Sequence, residues 1–209
     1  MAPKVTLEHR ENTRDRILDA AETLFQRRGY HETSMDEIVR KSGMSKGAIY
    51  GYFESKEDLF RSLHDRSYVQ AFESASALLT AGGSSRSKLE RLVDIYFLSK
   101  DNELSRERCR MSLEFSVESL RMQPLHRQQE WRDKQLHGLI KTMIEEGVRD
   151  AEFRKDLDAD STASLLIATI DGLILRWATT DSKIDWKSAR DAMVSLVLHG
   201  IAASPSRSG

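Results

Sequence analysis

The chain has 209 residues, 39% of them hydrophobic and 31% charged, with a formal net charge of −1. That balance suits a helix-rich globular protein and excludes one that is basic over its whole surface, so charge alone does not mark a nucleic-acid binder. With three Pro and 11 Gly, and no useful length of strict apolar–polar alternation, the fold class is read as all-α. The single Cys109 rules out an intrachain disulfide and suits a reducing cytoplasm, the expected location. The N-terminus is polar and charged, with no signal peptide visible. The most apolar run, 163–170, is far shorter than the roughly 20 residues of a membrane span.

In chain order, residues 1–12 are expected to be a mobile polar tail, with Lys4 and Arg10 available as a basic arm. Residues 13–28 read as an amphipathic helix, because Ile17, Leu18, Ala21, Leu24 and Phe25 share one face and Gly29 closes it. Then comes the most informative stretch, 33–60, TSMDEIVRKSGMSKGAIYGYFESKEDLF. Thr33 or Ser34 stands at capping-box distance before Asp36 and Glu37, Ser45 opens a second short helix, and Ser55 with Asp58 opens a third. Ser42-Gly43-Met44 supplies the Gly whose positive φ a sharp helix–helix turn demands. Ile38, Val39, Met44 and Ile49 face inward, leaving Lys46, Gly47, Ala48, Tyr50 and Tyr52 near the outer surface. This pattern is a helix-turn-helix, and helix 13–28 packs on it to complete a three-helix DNA-binding unit. Lys46, Tyr50, Tyr52 and Lys56, with Thr33 or Ser34, are expected on phosphates. Behind the Ser45 cap, Gly47 and Ala48 are expected to approach base edges, Ala48 through a methyl contact with thymine. DNA shape and the nearby Arg40 or Lys41 supply further specificity.

Beyond it a helix from 56 to about 79 bridges the two parts, 80–85 is a loop, and helices follow at 88–100, 106–122 and 125–146, the last with Gly147 as its C-cap. The expected organisation is a helix-turn-helix domain at 1–55, a larger helical ligand-binding and dimerisation domain at 56–203, and a disordered tail at 204–209. Two final helices, 161–179 and 186–202, are apolar on more than one face, and an all-round apolar helix must be buried on every side. It is read either as a central core helix or, preferably, as part of a four-helix bundle between two copies of the chain. Leu165, Leu166, Thr169, Leu173 and Arg176, with Val194, Val197 and Leu198, are the interface candidates. Such a dimer reads two half-sites about 34 Å apart, one DNA turn.

No catalytic motif is found. His9, His31, His64, His126, His137 and His199 show no metal-ligand spacing with one another or with Cys109, so neither metal nor cofactor is expected. Cys109 reads as a packed thiol, and Glu114 and Glu118, one turn apart, as a solvated face or as partners of Arg110 and Arg121. The middle helices carry aromatic and sulfur-bearing residues that singly read as core. Together, His64, Tyr68, Phe72, Tyr96, Phe97, Arg108, Met111, Phe115 and Trp131 are candidates to line an apolar small-molecule site, with Arg110 and Glu114 as further polar contacts.

The run Ser45-Lys46-Gly47-Ala48-Ile49-Tyr50-Gly51-Tyr52-Phe53, followed by Ser55-Lys56-Glu57-Asp58-Leu59, resembles the signature of the TetR family of transcriptional regulators. Thr13-Arg14-Asp15-Arg16-Ile17-Leu18-Asp19-Ala20-Ala21, Leu24-Phe25 and Gly29-Tyr30 resemble that family's first helix. Two positions depart from its commonest form: Ala48 where a hydroxyl is frequent, and Gly51 where a larger side chain often touches DNA. Segments including Ser112-Leu113-Glu114-Phe115-Ser116-Val117-Glu118 and Asp171-Gly172-Leu173 are similar to the C-terminal domain of BetI-type members, which respond to unrelated ligands. The resemblance implies dimerisation through the last two long helices. It also implies that a bound effector moves the fourth helix and so changes the separation of the reading heads.

The expected function is therefore a dimeric, small-molecule-responsive repressor. Its partners are a double-stranded, pseudo-palindromic operator, an apolar or amphipathic effector and a second copy of the chain, with no membrane. The rival readings are a constitutive DNA-binding regulator without effector and an enzyme acting through its C-terminal domain.

Overall fold

The computed structural model describes residues 7–97, 103–180 and 183–202. Lys4, residues 98–100 of the fifth expected helix and the 204–209 tail lie outside the described residues. The helices are α1 (Leu7–Glu32), α2 (Met35–Ser42), α3 (Lys46–Tyr50), α4 (Lys56–Thr80), α5 (Ser85–Phe97), α6 (Glu103–Ser119), α7 (Gln123–Arg149), α8 (Ala159–Thr179) and α9 (Trp186–Met193). A π-helical turn, Val194–Leu198, carries α9 into the short α10 (His199–Ile201). Among the described residues the sole β-pairing is an isolated antiparallel bridge between Phe153 and Ala202.

Helix α1 takes in residues 7–12, against the expectation of a mobile tail. Arg10 lies over the Tyr52 ring at 5.9 Å and Arg14 over that of Phe53 at 5.3 Å, so the first turns are held by cation–π contacts. The chain forms two compact units, the first comprising the residues up to Tyr68 together with Arg110–His126. The expected boundary between residues 55 and 56 falls inside it, because the helix-turn-helix alone cannot close its core. Leu59, Phe60 and Leu63 of α4, Met111 and Phe115 of α6 and Leu125 of α7 share one buried cluster with Ile17, Phe25, Ile38 and Ile49. Phe60 sits at the centre, its ring 5.2 Å from Phe25, 4.7 Å from Tyr30 and 5.6 Å from Phe115. Burying each such side chain contributes about 1.5–3 kcal/mol. Arg66 of α4 also reaches α1, 2.7 Å from both Asp19 and Glu22.

The second unit comprises Val69–Cys109 and the residues from Arg127 onward. Trp186 is central, edge-on to Phe97 at 5.6 Å and to Trp177 at 5.1 Å. The buried Lys88 ammonium is neutralised by Glu146 at 3.1 Å and also donates to the Leu79 carbonyl at 3.2 Å. Glu152 caps the start of α5, its carboxylate accepting from the N–H groups of Ser85 at 3.0 Å and Arg86 at 3.1 Å. Gly147 is not the C-cap of α7; the helix continues to Arg149. Its role is close packing, since a Cβ there would lie 2.3 Å from two ring carbons of Phe153.

Helix α8 meets the length and composition of a membrane span, unlike the shorter 163–170 run, and 33% of that stretch is buried. Its exposed side is a stripe of Leu165, Ala168, Thr169, Gly172, Leu175 and Arg176 at helical spacing.

Candidate nucleic-acid interface

Helix α2 begins with a complete capping box. The Ser34 Oγ accepts from the Glu37 N–H at 3.3 Å, and the Glu37 carboxylate accepts from the Ser34 N–H at 2.9 Å. The Ser34 N–H and the Ser34 hydroxyl, the latter at 3.0 Å, both donate to the Glu37 carboxylate and, with Arg28 nearby, hold it below the usual carboxylate range. The helix stops at Gly43, whose φ of 69° is the left-handed conformation the turn requires. Ser45 then turns the chain into α3, its Oγ accepting from the Ala48 N–H at 3.2 Å. Ile49 is wholly buried and anchors α3 to the core. Ser45, Lys46, Gly47, Ala48 and Tyr50 are exposed, and an added Cβ at Gly47 would meet nothing within 4 Å. The outcome is an open strip of small and polar groups that a duplex can approach closely.

Three details of this face escaped sequence reasoning. Lys46 Nζ donates to Asp36 at 3.0 Å, both side chains lying well out in solvent, and this bond raises the Lys46 pKa. Thr33 is buried and its hydroxyl donates inward to the Gly29 carbonyl at 2.8 Å, which corrects its expected place on a phosphate and leaves Ser34 as the exposed member of the pair. Lys56 is likewise turned from its expected phosphate: its ammonium donates to the carbonyls of Tyr30 at 2.8 Å, Thr33 at 2.9 Å and His31 at 3.4 Å, and stands 4.4 Å from the centre of the Tyr30 ring. Three N–H donors on three carbonyls make it a clamp on the α1–α2 connection. Lys56→Met is expected to destabilise the protein by roughly 1–3 kcal/mol through the orphaned carbonyls. Calorimetry would show the lower melting temperature, and the salt dependence of DNA binding should not change.

Residues 17–63 match the model of the tetR family of bacterial regulatory proteins, and residues 85–202, more than half of the chain, match that of the BetI-type transcriptional repressor C-terminal domain. The chain belongs to the TetR family. Similar proteins include the fatty acid metabolism regulator protein of Bacillus subtilis (strain 168), 25% identical over 189 residues, 88% of this chain and 93% of that one. The HTH-type transcriptional repressor KstR2 of Rhodococcus jostii (strain RHA1) is 26% identical over 191 residues, 91% of both chains. Among solved structures, a putative transcriptional regulator from Saccharomonospora viridis in complex with choline is 28% identical with a TM-score of 0.82, covering 93% of this chain and 100% of that one. As a TetR-family member the chain is a DNA-binding transcriptional regulator.

The candidate effector residues are divided between the two units. His64 stacks on Phe115 at 3.7 Å, and Phe115 and Met111 are buried in the core of the TetR-type reading unit. Tyr68 is half-buried at the end of that unit. Phe72, Tyr96, Phe97, Arg108 and Trp131 belong to the second unit. There Phe97 is held against Trp186, while Arg108 and Trp131 are exposed. An apolar void lined by Leu89, Leu92, Val93, Ile140, Ile170 and Met193, among others, has a volume of about 10 Å³, the space of a single water. Leu166 and Leu198 line the same void and are buried within the protomer, so they are not free for an interface as expected. Leu173, Val194 and Val197 are half-buried, whereas Leu165, Thr169 and Arg176 face outward. Leu175 and Leu196, 49% and 78% exposed, are apolar members of the outward face that helical spacing on its own did not single out.

Proposed function

We propose that this TetR-family regulator is a repressor that holds a pseudo-palindromic operator as a two-fold dimer and releases it when an apolar or amphipathic small molecule binds. The observation that carries the DNA reading is the capped helix-turn-helix, whose α3 presents Ser45, Lys46, Gly47, Ala48 and Tyr50 on an open face. The uncovered apolar stripe of α8 supports the dimer, since an exposed Leu165 and Leu175 on a helix of such composition call for a covering surface. Response to a small molecule is supported by the choline complex of the Saccharomonospora regulator. The 10 Å³ void is too small to be the effector site as it stands.

The direct experiment is selection of duplexes from a random library by the full-length protein, followed by affinity measurements across salt concentrations. An enriched sequence with two inverted half-sites establishes the operator; no enrichment sinks the reading. Lys46 and Asp36 give a sharper expectation. Lys46→Ala should weaken all duplexes alike and lower the salt slope by about one. Asp36→Asn frees the same ammonium and should strengthen binding to all duplexes several-fold. In the Lys46→Ala background that gain should vanish. A gain from Asp36→Asn that survives without Lys46 would show that Asp36 acts on DNA directly, through repulsion of phosphate.

A further inference from the structure

Between α1 and α2 the chain is held by side chains brought in from distant helices. Gly29, at φ 81° and ψ 171°, breaks α1 before Tyr30, a conformation that L side chains rarely adopt. The Tyr30 N–H donates to Glu114 Oε1 of α6 at 2.8 Å. One turn further along α6, Glu118 Oε1 meets His31 Nε2 at 2.8 Å, and the Glu118 side chain is only 5% exposed. The approach is tight, since a Cβ on Gly29 would lie 3.0 Å from Glu114 Oε1. Four residues after Tyr30 comes Ser34, the N-cap of α2. The short break from which α2 leaves α1 thus has its donors anchored on two α6 carboxylates, while Lys56 of α4 gathers its carbonyls.

We propose that Glu114 and Glu118 are positioning residues for DNA reading: they hold the Gly29–His31 break so that the helix-turn-helix takes the orientation the operator requires. This rests on the DNA-reading function proposed above. Within the first unit the two carboxylates act on the reading head through the Tyr30 N–H and the His31 ring, without either of them touching DNA.

The test uses full-length protein, the duplex it selects from a random library, and a scrambled duplex of the same composition. Glu114→Met is expected to weaken binding to the selected duplex roughly tenfold. Its affinity for the scrambled duplex and its salt slope should stay unchanged, because no phosphate contact is lost. Glu114→Gln, whose amide oxygen still accepts from the Tyr30 N–H, should restore selected-duplex binding. Glu118→Leu should act like Glu114→Met, and adding His31→Ala to it should bring no further loss. Unaltered discrimination in Glu114→Met and Glu118→Leu overturns the proposal. So does a parallel loss of affinity for both duplexes together with a lower melting temperature, which is the mark of a merely structural role. A wild-type protein that enriches no duplex overturns the DNA-reading function itself, and this inference with it.

Discussion

A Leu165→Glu protein is expected to sediment as a monomer and to bind its operator roughly a hundredfold more weakly or worse, because two tethered heads act at high effective concentration and single heads do not. Leu165 is 68% exposed and lies on the same side of α8 as Ala168, Thr169, Gly172, Leu175 and Arg176. In a two-fold interface every substitution enters twice, so this one places two carboxylates in a surface that is otherwise desolvated. An unpaired buried charge costs several kcal/mol, enough to dissolve a dimer of ordinary affinity. The adjacent Leu166 provides the contrast. It is 5% exposed and lines the interior void, so Leu166→Ala should lower the melting temperature while leaving sedimentation alone. A Leu165→Glu protein that stays dimeric would place the interface elsewhere.

Gly147→Ala is expected to be the most damaging single methyl group in the second unit. Its Cβ would stand 2.3 Å from two carbons of the Phe153 ring, far inside contact distance. Phe153 cannot retreat freely: it is 1% exposed, its N–H donates to the Gly147 carbonyl at 3.0 Å, and it bridges to Ala202. The preceding Glu152 caps α5, so movement of the ring disturbs that cap too. Overpacking of this kind costs about 1–3 kcal/mol or more, and for a chain of this size each kcal/mol lowers the melting temperature by about 2–4 °C. Differential scanning calorimetry would show the drop. Combining Gly147→Ala with Phe153→Leu should be less harmful than the sum of the two, because the second change makes the room the first one needs. Additive losses would mean that the ring is not what the methyl group strikes.

The reading head was legible because local chemistry dictates it. Ser34 and Ser45 as caps, Gly43 as the turn and Ile38 and Ile49 as anchors act over three or four residues, and they stand in the structure as the sequence implies. Helix positions were legible for the same reason, to within a few residues at most ends. What sequence concealed lies in long-range pairing. Nothing near Lys56 announces that its ammonium folds back onto carbonyls 23 to 26 residues earlier. Glu114 and Glu118 show the i, i+4 spacing of any solvated helix face, and only the tertiary fold brings them to Tyr30 and His31. The inward and outward sides of α8 were blurred for a different reason: Leu165 and Leu166 are chemically identical, and one faces the core while the other faces out. Gly147, too, is an ordinary helix-stop residue by sequence; its packing role depends on Phe153 returning to the same place.

The contact between Lys46 and Asp36 bears on how fast such a protein finds its target. A regulator spends most of its search on arbitrary duplex, held there by ammonium–phosphate attraction that takes no account of sequence. With the Lys46 ammonium already shared with the Asp36 carboxylate, this head is expected to grip arbitrary duplex less and to leave it sooner. Dwell time at each wrong stop shortens, and more of the search proceeds by hopping between segments. At the right sequence the close approach left open by Gly47 and Ala48 is expected to make up for what the carboxylate takes away, so that the pair would trade stickiness for speed of discrimination.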